Sequence, residues 1–493
     1  MEYLPGNIAP RILSRSEHNV SRKNIDPDAL KVLYRLKNNG FVAYLVGGGV
    51  RDLLLGRQPK DFDISTSAHP AQVKRLFRNC FIVGRRFRLC HVRFGRKVIE
   101  VSTFRSQAEP EQGDTLIRRD NTFGTPEQDA FRRDFTVNAL FYDIATFSVI
   151  DWVAGLHDLR DRVIRSIGDP GVRFREDPVR MVRAVALASR LGFTIDRDSE
   201  EAIRTLRGEI VRSSPARVLE EIYKILRQGR ARETFLSLLG HGLLTYLVPE
   251  AAKAIEEGGE AFLASLSRLD AYRNAGAPME ALTNPILLGT LLVPLGVPLR
   301  RLAGPHPRRR PAKEDEEEPE AEAVDVAAEA EALGEEEEPE DRQPAINVPF
   351  ALPYPRRDLD RLRVALLAER RLREIHRSPG VKNVVLGRPY LDEALRWLEI
   401  HGGDDGPALA AHWRELERSE GAARRPHDHD HAVRDAQAAG GAQPDGARPT
   451  DSGAARADQA FGSAAAGATG DRPRRRRRRR GRRRPRPHTP PPA

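Results

Sequence analysis

The segment from Phe41 to Asp52 reads FVAYLVGGGVRD, and the triplet Asp61-Phe62-Asp63 follows it. A short apolar run ends at three consecutive glycines, after which helical character resumes from Val50 to Leu55. This pattern predicts a buried strand over Phe41–Val46, then a glycine turn and a helix. Glycines after a strand let the backbone approach a phosphate group closely, and they present N–H groups at the start of a helix.

Asp61 and Asp63 lie two positions apart on a predicted strand, Asp61–Ile64, so a period of two places both carboxylates on one face. Two neighbouring carboxylates repel each other unless a cation lies between them, and oxygen ligands suit Mg²⁺. The alternative interpretation is a pair of solvated charges on an exposed strand edge. Beside a glycine turn of this kind, the pair favours a metal site that handles phosphates.

Two further carboxylates are candidates for the same site. Glu100 lies within an otherwise apolar strand, Lys97–Phe104, where a charge is costly unless it is paired or bound to a metal. Asp134 follows Arg132 and Arg133, and arginine forks match phosphate oxygens. The other interpretation of Asp134 is an ion pair with one of these arginines that stabilises a predicted helix.

The remaining pattern divides the chain into an α/β part and a helical part. Up to residue 153, helices are predicted over Ala29–Lys37, Pro70–Arg78 and Glu127–Leu140, and strands over Phe81–Val83, Phe87–Phe94, Phe141–Asp143 and Ser148–Val153. Beyond Pro170 the predicted elements are all helices, over Phe174–Leu191, Ser199–Arg207, Pro215–Arg227, Arg232–Leu243, Leu359–Glu374 and Tyr390–Ile400. The sequence thus predicts the α+β class, with an N-terminal extension (1–25), a small mixed α/β head domain (26–153) and an all-helical region (154–304 and 346–402).

The charge of the chain is segregated. Its 493 residues include 81 lysines and arginines against 71 acidic residues, a net charge of +10. Residues 314–341 hold 16 acidic residues and no basic one, whereas Arg474–Arg480 is an unbroken arginine run. The basic surplus favours a polyanionic partner such as RNA. We interpret 305–345 as a disordered acidic insert and 403–493 as a disordered arginine-rich tail, because neither composition can bury enough apolar surface.

Other features of the sequence narrow the cellular setting. No run of 18 apolar residues occurs, so we expect no membrane span, and the first residues do not have the pattern of a secretory signal. Only Cys80 and Cys90 are present, too few for a disulfide framework or a four-cysteine zinc site. A cytoplasmic location is the expectation.

Several motifs, in their order along the chain, resemble those of the bacterial poly(A) polymerase and tRNA nucleotidyltransferase (CCA-adding) family. They are Gly47–Asp52 with Asp61–Asp63, then Arg132–Leu140, Gly155–Leu159, Glu176–Met181 and Arg217–Lys224. The likeness covers about residues 15–230. It implies a nucleotidyltransferase head domain followed by a helical neck, body and tail.

The resemblance also implies a reaction. Asp61 and Asp63 would hold two Mg²⁺ ions, and Asp134 would be a further essential carboxylate. The 3′-hydroxyl of an RNA would attack the α-phosphate of a nucleotide and expel pyrophosphate. The residues that would bind the nucleotide phosphates are Gly47, Gly48 and Arg51, with Arg132 or Arg133. Base choice would fall to Asp177 and Arg180, which are three positions apart and therefore predicted on one face of a helix.

The family contains two activities with nearly the same active site. The stretch Ile82–Val92 resembles the poly(A) branch, and Arg85, Arg86 and Arg88 within it would add a basic wall for RNA or triphosphate. Arg474, Arg475 and Arg476 in the tail would hold RNA by charge. We therefore favour template-independent addition of AMP from ATP to RNA 3′ ends, which promotes RNA turnover. The alternatives are a CCA-adding enzyme, a small-molecule nucleotidyltransferase and a non-catalytic RNA-binding protein.

The predicted partners follow from this interpretation. They are ATP, the 3′ ends of mRNA and other transcripts, and RNA-decay or RNA-chaperone proteins. We expect the protein to be a monomer.

Overall fold

A computed structural model describes residues 9–84, 88–106, 122–297, 352–374, 382 and 385–423. All of them belong to one of two compact units, Met1–Arg425. The predicted acidic insert over 305–345 lies outside the described residues, as do Arg85, Arg86 and the tail arginines Arg474, Arg475 and Arg476. Among the described helices, none is long and apolar enough to cross a membrane.

The head domain is built on an eight-stranded sheet with the order β1-β8-β7-β2-β3-β6-β5-β4. The strands are β1 (Arg11–Leu13), β2 (Ala43–Val46), β3 (Asp63–Thr66), β4 (Cys80–Val83), β5 (Leu89–Phe94), β6 (Lys97–Thr103), β7 (Leu140–Asp143) and β8 (Ser148–Asp151). Strands β3 and β6 are parallel, and the other neighbours are antiparallel. The hairpin predicted at Gly95-Arg96 is confirmed as the β5–β6 turn.

The helices of the head are α1 (Pro27–Asn38), α2 (Gly48–Leu54), α3 (Pro70–Leu76) and α4 (Pro126–Phe131). On one face of the sheet, Leu45, Ile64 and Tyr142 pack with Leu33 of α1 in the main core. On the other face, Val46 and Phe141 pack in a separate cluster. Side chains alternate between the two faces along each strand, so this division decides on which side each polar residue lies.

Two predicted boundaries of the head are wrong. Strand β1 pairs with β8 through Arg11 and Asp151, so the sheet already includes residues that were predicted to form an N-terminal extension. The strand predicted over Asp61–Ile64 begins only at Asp63, and Asp61 lies in the loop before it. An edge strand of three residues carries too little periodicity to be recognised from sequence.

Two predicted helices are also wrong in extent. The helix predicted over Glu127–Leu140 ends at Phe131, and Arg132, Arg133 and Asp134 lie in the segment that follows it. The helix predicted over Phe174–Leu191 is two helices, α6 (Pro170–Glu176) and α7 (Val179–Leu191). Pro178 separates them, because a proline disfavours helical geometry at the preceding residue and lacks an N–H donor.

The helical part begins with α5 (Gly155–Asp161) and a small parallel pair, β9 (Val163–Ile164) with β10 (Thr194–Ile195). Beyond α7 follow α8 (Arg197–Leu206), α9 (Pro215–Arg227), α10 (Ala231–Gly240), α11 (Leu244–Leu247), α12 (Pro249–Glu256), α13 (Glu260–Asn274) and α14 (Asn284–Leu292). The prediction that the body resumes after the insert is confirmed by α15 (Arg356–Arg373) and α16 (Leu391–His401).

The predicted start of the disordered tail at residue 403 is wrong. A further helix, α17 (Gly406–Ala423), packs on α16. Trp413 of α17 is fully buried, and its indole N–H donates to the carbonyl of Leu372 at 3.1 Å. Ala410 is also buried, and Leu409 and Leu416 pack against the same cluster, so the helix is fixed by apolar contacts despite its Ala- and Glu-rich composition.

Candidate active site

The glycine turn lies where β2 ends and α2 begins. Gly47 has φ of +72°, a conformation that glycine adopts without strain, and its N–H donates to the carbonyl of Leu140 at 3.2 Å. A Cβ atom on Gly47 would lie 3.2 Å from Nη1 of Arg133 and 4.0 Å from Oδ2 of Asp63. A Cβ on Gly49 would lie 3.1 Å from the carbonyl oxygen of Asp61. The turn, the arginine and both predicted aspartates are therefore immediate neighbours.

Three carboxylates converge near this turn. Asp63 begins β3 opposite Val46, and Glu100 of β6 lies beside it on the same face, because Ile64 is in register with Val101. Burial raises the pKa of Asp63 to about 6, with the charge of Glu100 as the next cause. Arg133 opposes this rise, and Asp61 adds to it. The repulsion among these groups is therefore only partly compensated by protein cations.

The side chains of Asp61 and Glu100 are both largely exposed to solvent. The side chain of Asp61 is 71% exposed and lies 3.7 Å from Nζ of Lys60. The side chain of Glu100 is 50% exposed, with its Oε1 3.5 Å from Nε2 of His91. The prediction that Glu100 is a costly charge within an apolar strand is wrong, because this face of β6 is open to solvent.

These carboxylates fit a divalent cation that is completed by a ligand. Among the described residues, no group of three or more His, Cys, Asp or Glu side chains is arranged to hold a metal ion alone. Mg²⁺ is usually bound by one or two carboxylates together with substrate phosphates and water. Asp63 and Asp61, with Glu100 nearby, are the described residues that could hold such an ion, since a cation would relieve their mutual repulsion.

Arg133 is the predicted phosphate ligand that the structure places at the site. Its Nη2 donates to Asp129 at 2.9 Å and to Ser65 Oγ at 3.2 Å, and its guanidinium stacks 5.1 Å from the centre of the Phe141 ring. Arg132 also donates to Asp129, through Nε at 3.3 Å. Burial opposes the ionisation of Asp129, but Arg133 and Arg132 hold its pKa below the ordinary value.

Arg51 lies behind the turn. It is only 3% exposed, and its guanidinium contacts Asp52 and the side chain of Asn138. A Cβ on Gly48 would lie 3.2 Å from its Nη2. The structure therefore places Arg51 as a support for the glycine turn from inside the domain, whereas the resemblance gave it a direct phosphate contact.

Asp134 pairs with an arginine that the sequence did not indicate. Its Oδ2 accepts hydrogen bonds from Nε and Nη2 of Arg183 on α7, at 3.0 and 2.5 Å. Its Oδ1 accepts from the side chain of Asn138 and the backbone of Phe135. Burial opposes ionisation, but Arg183 and these donors outweigh it and lower the pKa of Asp134 to about 2. The alternative interpretation of Asp134, an ion pair with Arg132 or Arg133, is wrong, because both arginines bind Asp129.

Asp177 and Arg180 do not share one helix. Asp177 directly follows α6, and its two carboxylate oxygens accept from both terminal nitrogens of Arg217 at 3.0 and 2.8 Å. Arg180 is the second residue of α7 and donates to Glu176 at 3.3 Å. The break at Pro178 therefore brings each residue to a different partner, and the predicted common helix face is corrected.

A residue of the neck also contacts the segment that carries Arg132 and Arg133. Arg173 of α6 is buried and donates to the carbonyls of Arg132 and Arg133 at 2.7 and 3.0 Å. Its Nη1 donates to Glu176 at 2.7 Å.

Of the three arginines predicted to form a basic wall, Arg88 lies within the described residues, and it is exposed.

Sequence reasoning missed Asp129, Asn138, Arg173, Arg183 and Arg217. For Asp129, the spacing of three and four residues to the arginine pair was a usable signal. Asn138 and Arg217 lie inside motifs that were recognised, although neither was assigned a role. Arg173 and Arg183 gave no signal, because their partners are about 40 and 49 residues away in the sequence.

Comparison with known proteins matches the head and the neck in order. Residues 43–165 match the family described as the poly A polymerase head domain, and residues 192–255 match the family described as the probable RNA and SrmB-binding site of polymerase A.

Two curated relatives represent the two branches. Poly(A) polymerase I of Salmonella typhi is 49% identical over 258 residues, which make up 50% of this chain and 56% of that protein. The CCA-adding enzyme of Lactobacillus helveticus is 40% identical over 210 residues, 42% of this chain and 51% of that protein. The chain thus spans about half the length of the curated relatives it matches.

A solved structure extends the likeness to the fold. The Bacillus stearothermophilus CCA-adding enzyme in complex with CTP has a TM-score of 0.50 and 27% sequence identity, and the match covers 81% of this chain and 83% of that chain. Over the matched residues, the chain is therefore similar to bacterial poly(A) polymerases and CCA-adding enzymes.

Proposed function

We propose that this protein adds AMP from ATP to RNA 3′ ends without a template and releases pyrophosphate. The observation that carries the proposal is the group of incompletely compensated carboxylates, Asp61, Asp63 and Glu100, next to Arg133 and the glycine turn. Acidic groups that bind a cation, placed beside a backbone turn that admits phosphate, suit nucleotidyl transfer. The names of the relatives support the substrate classes.

In this mechanism Asp61 and Asp63 would hold Mg²⁺, with Glu100 as a further ligand. Bound there, the metal would lower the pKa of the RNA 3′-hydroxyl and neutralise charge that develops on the phosphates. The 3′ oxygen forms a bond to the α-phosphorus of ATP, the bond to the bridging oxygen breaks, and pyrophosphate leaves. The hydroxyl proton is released during the attack.

Arg133 and the glycine turn would hold the triphosphate. Arg133 is oriented by Asp129 and by its stacking on Phe141, so its guanidinium is fixed before the nucleotide binds. The Gly47 position leaves room for a phosphate oxygen that a side chain would exclude. Arg132 is a second phosphate-binding candidate in the same turn. Arg51 and Asp134 act as positioning residues through Asn138.

Base choice is assigned to Asp177 and Arg180 at the break between α6 and α7. Arg217 holds Asp177 with a bidentate contact, and Glu176 orients Arg180. Side chains fixed in this way can present one pattern of donors and acceptors to a base edge. Arg217 is therefore a positioning residue for nucleotide selection.

CCA addition is the second candidate function. The solved relative with a TM-score of 0.50 is a CCA-adding enzyme in complex with CTP, so the fold suits both activities. The higher identity to poly(A) polymerase I favours AMP addition. RNA-decay or RNA-chaperone partners, a monomeric state and a cytoplasmic location stay predictions.

One assay separates the alternatives. Purified protein with Mg²⁺ is incubated with an oligoribonucleotide, or with tRNA lacking its 3′ end, and each nucleoside triphosphate singly. Long adenylate ladders on the oligoribonucleotide support the proposal. Addition of C, C and A confined to tRNA would establish the CCA-adding activity instead. RNA binding without any incorporation would contradict both.

Arg88, with Arg85 and Arg86, and the tail arginines Arg474, Arg475 and Arg476 are proposed RNA contacts. Deletion of residues 472–493 is expected to weaken RNA affinity and flatten its salt dependence without changing nucleotide choice, because each phosphate contact adds to the salt slope. Fluorescence anisotropy with labelled oligoadenylate at several salt concentrations measures this. An unchanged slope would exclude tail contacts.

A further inference from the structure

A cavity lies in the head domain, on the side formed by α1 and the N-terminal segment. Its volume is about 580 Å³, within the usual range for small-ligand sites. We call it the rear pocket. It is lined by Ser21 and Leu30 and by three basic and three aromatic residues, Arg15, Arg22, Lys23, Tyr34, Tyr142 and Phe147.

The rear pocket lies on the opposite face of the sheet from the carboxylates. Tyr142 is in register with Leu45, whereas Asp63 is in register with Val46, the next residue of β2. Successive residues of a strand point to opposite faces, so Tyr142 and Asp63 lie on different sides of the sheet. A ligand in the rear pocket therefore does not occupy the active site.

The aromatic rings of the rear pocket form a stacking surface. Tyr34 is 36% exposed, and its hydroxyl accepts a hydrogen bond from Nη1 of Arg22 at 2.8 Å. The guanidinium of Arg22 lies 4.4 Å from the centre of the Phe147 ring. Planar groups already stack here, and a nucleobase offers the same kind of surface.

Phe147 lines the rear pocket with a strained backbone conformation. Its φ is +54°, in the left-handed region that costs a non-glycine residue about 1 kcal/mol or more. Nε2 of His18 contacts the Phe147 carbonyl oxygen at 2.9 Å, which secures this conformation. Strain in non-glycine residues is often found at ligand sites.

The positive charge of the rear pocket is not neutralised within the described part of the chain. There, no carboxylate forms an ion pair with Arg15, Arg22 or Lys23. Two acidic residues that are close in sequence to lining residues have other partners, since Glu17 accepts from Ser14 and Asp143 pairs with Lys37. Three cations beside aromatic rings attract a ligand with a phosphate and a planar base.

We propose that the rear pocket binds one nucleotide of single-stranded RNA upstream of the 3′ end. The base stacks on Tyr34 and Phe147, and Arg15 and Lys23 contact the phosphate. The inference rests on the proposed function, because it assumes that RNA is the substrate. An RNA chain held there stays bound while its 3′ end is released from the active site after each addition.

The test is the variant Arg15→Ala/Lys23→Ala, compared with Arg160→Ala/Arg268→Ala, which removes two other exposed cations from the described part of the chain. Anisotropy with a long oligoadenylate should show weaker binding and a salt slope shallower by about 1.4 for the rear-pocket variant, since each lost contact to a single strand removes ~0.7. A short primer that fills only the active site should bind both variants equally. Equal loss in both variants with the long RNA would overturn the proposal.

A second variant pair tests stacking. Tyr34→Ala should weaken long-RNA binding at least about fivefold, because stacking of one base contributes ~1 kcal/mol or more, whereas Tyr34→Phe should retain it. Photocrosslinking of a thiouridine-containing RNA should label the peptide that carries Tyr34. Loss of a second ATP-binding site in the rear-pocket variant, with unchanged RNA binding, would identify a free nucleotide as the occupant and overturn the RNA assignment. These binding readouts do not require turnover, so they are independent of a failure of the proposed activity.

Discussion

The carboxylates beside the glycine turn and those that bind arginines of the neck are in opposite electrostatic states. Beside the glycine turn, burial and the like charges of Glu100 and Asp61 raise the pKa of Asp63 to about 6. At the neck, Arg183 binds Asp134 and Arg217 binds Asp177, and the pKa of Asp134 falls to about 2. A carboxylate that lacks a full complement of partners can accept an external cation, whereas a saturated one fixes the protein itself.

This electrostatic difference indicates different roles for two aspartates that both belong to the recognised motifs. Asp63 and Asp134 both belong to recognised motifs, and sequence reasoning treated both as catalytic. The structure gives Asp134 three kinds of donor and a fixed geometry, which suits a positioning residue. Substitution of each group should therefore affect different properties.

The largest expected effect is on turnover when the head carboxylates are neutralised. Asp63→Asn should lower kcat at least ~1000-fold and Asp61→Asn nearly as much, while binding of RNA and ATP persists, because metal-dependent stabilisation of the transition state is removed. Single-turnover AMP incorporation and RNA anisotropy measure the two properties. Asp161→Asn, on the exposed side of α5, is the control. Near-normal turnover in Asp63→Asn would refute the metal assignment.

The next effect concerns stability. Asp134→Asn should lower the free energy of unfolding by about 2 kcal/mol at neutral pH, since Arg183 loses its closer charged partner but keeps Glu221 at 3.6 Å and is partly solvated. Asp63→Asn should cause no such loss without divalent ions, because it removes a repelled charge. Urea unfolding in the presence of a chelator compares the two variants. A similar loss of unfolding free energy in both variants would contradict the proposed difference between Asp63 and Asp134.

This stability difference should depend on pH. The pKa of Asp134 is lowered to about 2 in the folded protein from an ordinary value of 3.8. The ionised carboxylate therefore contributes stability above about pH 4, and the contribution is lost as the pH falls toward 2. The gap between the wild type and Asp134→Asn should narrow over this range, as measured by urea titrations at successive pH values. A gap of constant size would exclude the ion pair as its cause.

A smaller effect tests the glycine turn. Gly47→Ala and Gly56→Ala place a side chain at φ of +72° and +68°, so each should cost about 1 kcal/mol of stability. Only the Cβ at Gly47 would meet Arg133, whereas nothing lies within 4 Å at Gly56. We expect about a tenfold loss of kcat/KM for Gly47→Ala and little for Gly56→Ala. Equal activity in the two variants would show that the space at Gly47 is not used by the nucleotide.

The smallest effect is on base choice. Arg217→Met should raise incorporation of CTP relative to ATP about fivefold, because Asp177 is no longer held by a bidentate contact. Turnover with ATP should change little. Arg204→Met, which removes an exposed arginine paired with Glu200, is the control. Unchanged selectivity in competition assays would show that the Asp177–Arg217 contact has no role in nucleotide selection.

Much of the head was predictable from local pattern. The apolar run before Gly47 indicated β2, and the turn at Gly95-Arg96 indicated the β5–β6 hairpin, because a strand and its turn are specified within a few residues. Helix α9 was predicted with its observed bounds, Pro215–Arg227, since its first residue is a proline and its apolar positions follow a helical period.

The errors share a physical cause. Helix α4 ends at Phe131, and in the segment that follows it Asp134 binds Arg183, which is 49 positions away in the sequence. Trp413 orders α17 by tertiary burial in a segment whose composition indicated disorder. Local propensity is weak compared with such long-range contacts.

The sequence alone determined the chemical inventory, namely a glycine bend, acidic residues two positions apart, a double arginine and the order of the family motifs. Those features are short-range, so neighbouring residues suffice to define them. Tertiary structure alone decided that Arg183 binds Asp134 and that Arg217 binds Asp177, and it formed the rear pocket from α1, the N-terminal segment and β7. Such pairings join residues about 40 or more positions apart, and only the packing of helices on the sheet brings their charges within reach.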